Sequence, residues 1–117
     1  MVCLVACGAS DEQSAVNESR CHTSDSLCAK RFDEVAFAMT HNGYSSEEDE
    51  FLGPNHKFGI EQQLEDGIRG FMLDVYDYLD NLTLCHANCE IGARPLSDVL
   101  EVYRAFLEEN PRDFIVI

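Results

Sequence analysis

The sequence predicts an α/β fold in which helices cover a parallel sheet, and three observations support this prediction. The predicted strands are short apolar runs rather than alternating ones, which is typical of strands that are buried on both faces. Helical segments separate several of the strands, so that successive strands can run parallel. Polar residues follow the strands directly, as they do at the edge of parallel α/β folds where sites form.

The first predicted elements are a strand, a helix and a second strand. Val35–Met39 is an apolar run that stops at the polar residues 40–43, which indicates a buried strand leading into a loop. Ile60–Asp66 is predicted to be a short helix that ends at Gly67, because glycine is common just after a helix. Ile68–Tyr76 is predicted to be the next strand.

The remaining elements are a short strand, a helix and a last strand. Leu82–His86 is predicted to be a strand, and Pro95–Glu109 is the clearest helix, because its apolar residues recur at helical spacing. Phe114–Ile117 is predicted to be a buried strand with no partner on its far side. A closed eight-stranded barrel needs roughly 250 residues, so we expect this chain of 117 residues to be part of a longer protein.

The amino-terminal segment 1–30 is predicted to be a tail that precedes a folded part at 31–117, because it is rich in polar and small residues. Leu4–Cys7 resembles a bacterial lipobox, where a signal peptide is cut and the cysteine is lipidated, and 8–20 would then be a tether. Only three residues precede Leu4, so either the signal peptide is clipped or the match is chance. No stretch is long enough to span a bilayer.

The net charge of the chain argues against two classes of binding partner. Eight basic and 22 acidic residues give a formal charge of −14, which argues against binding to nucleic acid and against electrostatic docking on an anionic membrane. The acidic residues predict a solvated surface or, alternatively, a site for a divalent cation.

The six cysteines indicate an oxidising compartment, so we expect the protein to be extracytoplasmic. There is no C-x-x-C pair, which makes a structural zinc site improbable. Four of the cysteines allow three connectivities. We expect the two short-range pairs, Cys21–Cys28 and Cys85–Cys89.

Candidate catalytic residues lie at the ends of predicted strands. His41 and Asn42 follow the first strand, Asp74 ends the second, and His86 ends the third. Two imidazoles can divide acid and base work near neutral pH, and a phosphodiester is cleaved well by such a pair. The alternative is that these side chains only make structural hydrogen bonds, and spacing alone does not decide between the two.

Three sequence blocks resemble the X-region of phosphatidylinositol-specific phospholipase C. Residues 38–45 (A-M-T-H-N-G-Y-S) resemble its opening T-H-N segment, and 62–74 (Q-Q-L-E-D-G-I-R-G-F-M-L-D) resemble its next block. Residues 84–86 (L-C-H) are similar to the block with the second histidine. The resemblance covers about residues 28–117 and is greatest to the extracellular X-domain proteins, whose next block also has M-L-D.

This resemblance implies the first strands and helices of a distorted (β/α)8 barrel of TIM type, acting on a phospholipid at a membrane surface. The inositol 2-hydroxyl would attack phosphorus, with His41 as general base or phosphoryl donor and His86 as general acid. In the calcium-dependent branch, the residues equivalent to Asn42 and Asp74 hold Ca²⁺. Met72 stands where that branch has an acidic residue, and a thioether is a poor ligand for a hard ion. The alternatives are therefore a weak calcium site and a site that has lost its cation.

Two other functions compete with a phospholipase. Glycerophosphodiester phosphodiesterases also use two histidines and acidic ligands, but they open with H-R-G and carry E-x-D, where this chain has His41-Asn42-Gly43 and Met72-Leu73-Asp74. The second alternative is a non-catalytic surface protein that uses a decayed barrel as a binding module. In each case we expect the protein to be secreted or lipid-anchored at the cell surface.

Overall fold

The computed structural model describes residues 2–5, 21–22 and 24–117, which form a small mixed α/β domain with two sheets and two α-helices. The strands are β1 Cys3–Val5, β2 Met39–His41, β3 Gly70–Met72, β4 Val75–Tyr78, β5 Asn81–Leu84, β6 Arg94–Pro95 and β7 Phe114–Val116. The helices are α1 Ile60–Glu65 and α2 Leu96–Glu109. The boundaries of both helices match the prediction to within one residue.

The first sheet has the strand order β1-β7-β3-β2. Strands β2, β3 and β7 run parallel, as predicted, whereas β1 runs antiparallel to β7. The expectation of an unpaired edge at Phe114–Ile117 is wrong, because the backbone of Cys3–Val5 pairs along β7. Backbone hydrogen bonds between Val2 and Ile117 extend this pairing.

The predicted strand Val35–Met39 is largely wrong. Only Met39 of this run lies in β2, and its side chain is 44% exposed. The physical reason is that the pairing of β2 with β3 begins only at Met39, opposite Gly70, so that among the described residues no strand pairs with residues 35–38. Phe37 packs instead against Phe114, with ring centroids 5.2 Å apart.

The predicted strand Ile68–Tyr76 is divided between the two sheets. Its first part is β3, and the chain then leaves the parallel sheet at 73–74 to form β4, which pairs antiparallel with β5. Leu79 and Asp80 close this hairpin with positive φ angles of 53° and 62°, as a tight hairpin turn requires. Strand β6 completes the second sheet. The expected first part of a (β/α)8 barrel is therefore not confirmed, because the described strands form two separate sheets.

The core lies between the first sheet and the two helices. Helix α2 buries the side chains that its periodicity predicted to share a face, with Val99, Tyr103 and Leu107 inward. Phe71 of β3 contacts Tyr103, with ring centroids 5.2 Å apart. Other members of this core are Tyr44, Phe51, Ile60, Leu64, Leu84 and Ile115.

A buried ion pair connects the helices to the sheet. The Arg69 guanidinium donates to both carboxylate oxygens of Asp113 at 3.0 and 2.8 Å, and the two side chains are only 6% and 4% exposed. Arg69 Nη1 also donates to the carbonyl oxygens of Leu64 and Ile68 at 2.7 and 2.9 Å. The guanidinium lies 4.6 Å from the ring centroid of Phe106 on α2. Arg69 therefore fixes the end of α1, the start of β3 and the segment before β7 relative to one another.

Both expected disulfides, Cys21–Cys28 and Cys85–Cys89, are confirmed. Within the segment predicted to be a tail, Cys3–Val5 forms β1 and Asp25–Leu27 forms a short 3-10 helix. Cys7, the residue that a lipobox would modify, lies outside the described residues. Among the described residues, neither helix combines the length and the apolar character needed to cross a bilayer.

We expect the partly buried His22 to make stability depend on pH. Burial lowers the pKa of His22, and the positive charge of Arg69 lowers it further, while Asp113 opposes this. The unfolded chain therefore binds a proton near pH 6.5, where the folded chain resists it, and stability falls as pH drops below about 6.5. Urea unfolding of the wild type and His22→Gln between pH 7.5 and 5 should show a steeper loss in the wild type. Parallel curves would contradict this expectation.

Candidate functional site

The first two candidate residues lie where β2 ends. His41 is the last residue of β2 and has an exposed side chain, and Met72 of β3 is its register partner. Asn42 begins the following turn with a φ of 53°, a left-handed conformation that asparagine adopts more readily than most residues. The Asn42 side chain is fully buried. The left-handed backbone conformation thus explains why residue 42 is an asparagine. Its side-chain amide lies in the protein interior.

The other two candidates meet Asn42 from the neighbouring elements. Asn42 Nδ2 lies 2.8 Å from His86 Nδ1, and the same ring nitrogen is 3.8 Å from Asp74 Oδ2. His86 follows β5, and Asp74 lies between β3 and β4. The side chains of His86 and Asp74 are 50% and 47% exposed. The structure therefore brings Asn42, Asp74 and His86 into one cluster beside His41.

This geometry favours one tautomer of His86. The Asn42 amide donates to Nδ1, so the neutral ring carries its proton on Nε2, in a side chain that is half exposed. If the ring gains a second proton, Nδ1 becomes a donor that Asn42 Nδ2 cannot accept, and Asp74 Oδ2 is an acceptor 3.8 Å away. The arrangement can therefore hold the neutral ring through Asn42 and stabilise the protonated ring through Asp74.

Tyr44 donates a hydrogen bond to the loop that carries His86, and the sequence did not predict this contact. Its hydroxyl donates to the Cys85 carbonyl oxygen at 3.0 Å, and the side chain is fully buried. Burial raises the pKa of Tyr44 strongly, and the negative charge of Asp74 raises it further, so the phenol stays neutral and remains a donor. The Cys85–Cys89 disulfide closes the same short loop on both sides of His86.

Gln63 of α1 holds the turn that follows His41. Its Nε2 donates to the carbonyl oxygens of Gly43 and Phe58, both at 2.8 Å, and its Oε1 accepts from Thr40 Oγ1 at 2.8 Å. Gly43 allows this close approach, because a Cβ there would lie 2.6 Å from Thr40 Oγ1. Gln63 and Tyr44 both fall within the blocks that resemble the phospholipase family, and this was the available signal for them.

His56 contacts the backbone of the site. Its Nε2 donates to the His41 carbonyl oxygen at 2.7 Å, and its own backbone N–H donates to the Ser45 carbonyl oxygen at 3.0 Å. His56 thus connects the loop before α1 to the end of β2. Its ring must carry a proton on Nε2 to make this contact, since the partner is a carbonyl oxygen.

We expect Gln63→Leu to destabilise the protein and to displace His41 and Asn42. The substitution leaves buried carbonyl groups without a donor, at about 1–3 kcal/mol for each buried unsatisfied group. Urea unfolding monitored by circular dichroism should show a loss of roughly 2–4 kcal/mol. The matched variant is Gln62→Leu, because the exposed Gln62 side chain donates to Asp66, the residue after α1, at 2.9 Å. An equal loss in both variants would contradict the role of Gln63.

Two acidic side chains, Asp49 and Glu61, are already paired with an arginine of this chain. Arg94 pairs with Asp49 at 3.3 Å and with Glu61 at 2.5 Å. Burial alone would raise the pKa of Glu61, but the hydrogen bond from Arg94 lowers it overall. In the part of the chain that the structure describes, no three or more His, Cys, Asp or Glu side chains lie together as a metal-holding group. Asn42 and Asp74 offer oxygen atoms that suit calcium, whereas Met72 does not.

A protein-family model, described as PI-PLC X 1, matches residues 27–117. The chain belongs to the PI-PLC X family. A PI-PLC X domain-containing protein of Arabidopsis thaliana is 32% identical over 98 residues, which cover 74% of this chain and 23% of that protein. An uncharacterized secreted protein of Arthroderma benhamiae is 29% identical over 114 residues, covering 91% of this chain and 24% of that protein.

This PI-PLC X chain thus spans about a quarter of the length of the curated relatives it matches. No solved structure matches it significantly. The secreted relative and the disulfides are consistent with an extracellular location. The resemblance on which the sequence analysis relied is confirmed as family membership.

Proposed function

We propose that the protein to which this chain belongs is a phosphoric diester hydrolase of the phosphatidylinositol-specific phospholipase C type, acting in lipid metabolism. The observation that carries the proposal is the 2.8 Å contact between Asn42 Nδ2 and His86 Nδ1, because it joins the end of β2 to the loop after β5. Family membership supports it. The proposal includes a parent fold in which these elements begin a (β/α)8 barrel, with residues 31–117 as the amino-terminal part of the catalytic domain.

In the proposed reaction, the inositol 2-hydroxyl attacks the phosphorus atom, and the bond to the diacylglycerol oxygen breaks. His41, whose side chain is exposed at the end of β2, would take the proton of the hydroxyl or donate to the phosphoryl oxygens. His86, in its doubly protonated form, would donate the Nε2 proton to the leaving oxygen and become neutral. Asn42 would orient His86, and Asp74 would stabilise its protonated form. The products are a cyclic inositol phosphate and diacylglycerol.

Calcium enters the proposal through two residues of this chain. Asn42 and Asp74 would each supply one or more oxygen ligands, and waters or further residues would complete the six to eight that calcium usually takes. A bound ion would neutralise negative charge on the phosphoryl oxygens. The alternative is a site without a cation, and half-exposed Met72 beside His41 favours it.

We expect Met72→Glu to strengthen calcium binding, because it adds a carboxylate beside Asn42 and Asp74. A gain of roughly tenfold in affinity is expected from the additional charged ligand. Isothermal titration of calcium into the wild type and Met72→Glu measures this directly. Met72→Gln serves as the control, since it adds an oxygen without a charge. If Met72→Glu binds calcium no more tightly than Met72→Gln, the proposed ligand position is wrong.

The methionine at position 72 also favours a non-catalytic binding module, which is the second candidate function. Met72 occupies the position at which the family resemblance implies an acidic ligand. A protein that had lost the ligand could retain the pocket and bind a phosphodiester without cleaving it. A glycerophosphodiester phosphodiesterase has no such support from the described residues.

The test is the activity of the full-length protein on phosphatidylinositol vesicles, with and without calcium. We expect release of a cyclic inositol phosphate. Binding to the vesicles without turnover in either condition would move the assignment to the binding module. Turnover of glycerophosphodiesters alone would move it to the glycerophosphodiesterase class. For the location, the proposal is a secreted or lipid-anchored protein at the cell surface.

A further inference from the structure

We propose that Asn81 is the acceptor of an N-linked glycan. Asn81-Leu82-Thr83 has the pattern N-x-T with a residue other than proline in the middle, which is the acceptor sequence for this modification. Asn81 is exposed and is the first residue of β5, directly after the hairpin turn at Leu79 and Asp80. The pattern therefore lies at the projecting tip of an ordered hairpin.

The side chain can accept a sugar without loss of its local hydrogen bond. Asn81 Nδ2 donates one of its two hydrogens to the Leu79 carbonyl oxygen at 2.9 Å. In the transfer, Nδ2 loses one proton to a base and forms a bond to C1 of the sugar. The C1–O bond of an oligosaccharyl diphosphate lipid breaks, and the diphosphate leaves with the electron pair. One N–H remains on Nδ2 and can still donate to Leu79.

A second observation is that exposed apolar surface lies beside Asn81. Leu79 and Leu82 are 77% and 61% exposed and lie on either side of Asn81. An open groove of about 760 Å³ runs beside Asn81 and is lined by Leu79, Leu82, Pro95, Leu96 and Leu100. Exposed apolar surface of this kind promotes association between proteins. The first sugars of a glycan on Asn81 would lie along this groove and shield both leucines.

The position is compatible with the proposed catalytic site, on which this inference does not depend. Asn81 pairs with Tyr78 at the tip, whereas the site end of the hairpin is the pair Val75 and Leu84. Three residues along a strand correspond to about 10 Å. A glycan at the tip would therefore leave His86 and Asp74 accessible.

The test is mass spectrometry of the full-length protein secreted by its natural host. After enzymatic release of N-linked glycans in water labelled with ¹⁸O, the peptide containing Asn81 should carry a labelled aspartate at that position. A peptide recovered only with unmodified Asn81 would overturn the proposal.

Matched variants separate the site from other sources of carbohydrate. Asn81→Gln should abolish the labelled peptide, whereas Thr83→Ser should retain it, because serine also satisfies the pattern. Asn17-Glu18-Ser19 is a second such pattern outside the described residues, and Asn17→Gln should leave the Asn81 peptide labelled. Removal of the glycan should increase binding of a hydrophobic dye in the wild type and have no effect on Asn81→Gln. Unchanged dye binding in the wild type would contradict the shielding role.

Discussion

Arg69→Met is expected to destabilise the protein by about 3–5 kcal/mol, because it leaves the buried Asp113 carboxylate without its partner. Asp113 is 5% exposed and, among the described residues, would retain the hydrogen bond from the Phe114 N–H. The carbonyl oxygens of Leu64 and Ile68 would also lose their donor. Urea unfolding monitored by circular dichroism gives the free energy directly.

The double variant Arg69→Met/Asp113→Leu should recover much of this loss, because replacing a buried pair by apolar residues removes the uncompensated charge. Arg104 provides the surface control, since it pairs with Glu101 and Glu108 but its side chain is 56% exposed. Arg104→Met should have a much smaller effect than Arg69→Met. Equal effects at the two arginines would show that burial of the Arg69 pair does not determine its contribution.

His41→Ala and His86→Ala are each expected to lower kcat/KM of the full-length protein on phosphatidylinositol by about 10²- to 10⁴-fold, the usual contribution of a positioned acid or base. Because the two residues would act in one step, the double variant should be little worse than either single variant. Asn42→Ala should cause a smaller loss, since it removes the orientation of His86 but keeps the imidazole. The measurement is initial-rate kinetics at matched vesicle concentrations.

His22→Gln controls for the removal of a histidine in general. His22 lies against Phe114, at the start of β7 and so at the opposite end of the parallel strands from the site. Its kcat/KM should equal that of the wild type. A loss in His22→Gln as large as that in His86→Ala, or no loss in His86→Ala, would remove the two-histidine mechanism.

The sequence predicted the elements whose signal is local. The apolar spacing of α2 and the glycine after α1 locate both helices, and the disulfide pairs follow from short separations between cysteines. The split of Ile68–Tyr76 was not predicted, because strand-forming residues continue on both sides of Asp74. The second half of this run lies in another sheet because Val75–Tyr78 pairs with Asn81–Leu84.

The candidate site was predicted only in part, because only some of its residues have a local signal in the sequence. His41, Asn42, Asp74 and His86 were identified by their places after strands and by family resemblance, and three of them meet in the structure. The contributions of Gln63, Tyr44 and His56 were missed. Each makes at least one hydrogen bond to a backbone carbonyl group that is 15 or more residues away in the chain, and side-chain type alone does not indicate such a partner.

The pairing of residues 3–5 with β7 conflicts with the removal of these residues as part of a leader peptide. If a signal peptidase cuts before Cys7, as the lipobox interpretation requires, the mature protein loses Cys3–Val5 and the backbone partner of β7 with them. The bare edge of β7 could then accept a different strand. Sequencing the amino terminus of the mature protein would therefore also show whether β1 is retained: a start before Cys3 retains it, and a start at Cys7 leaves the β7 edge open to a different strand.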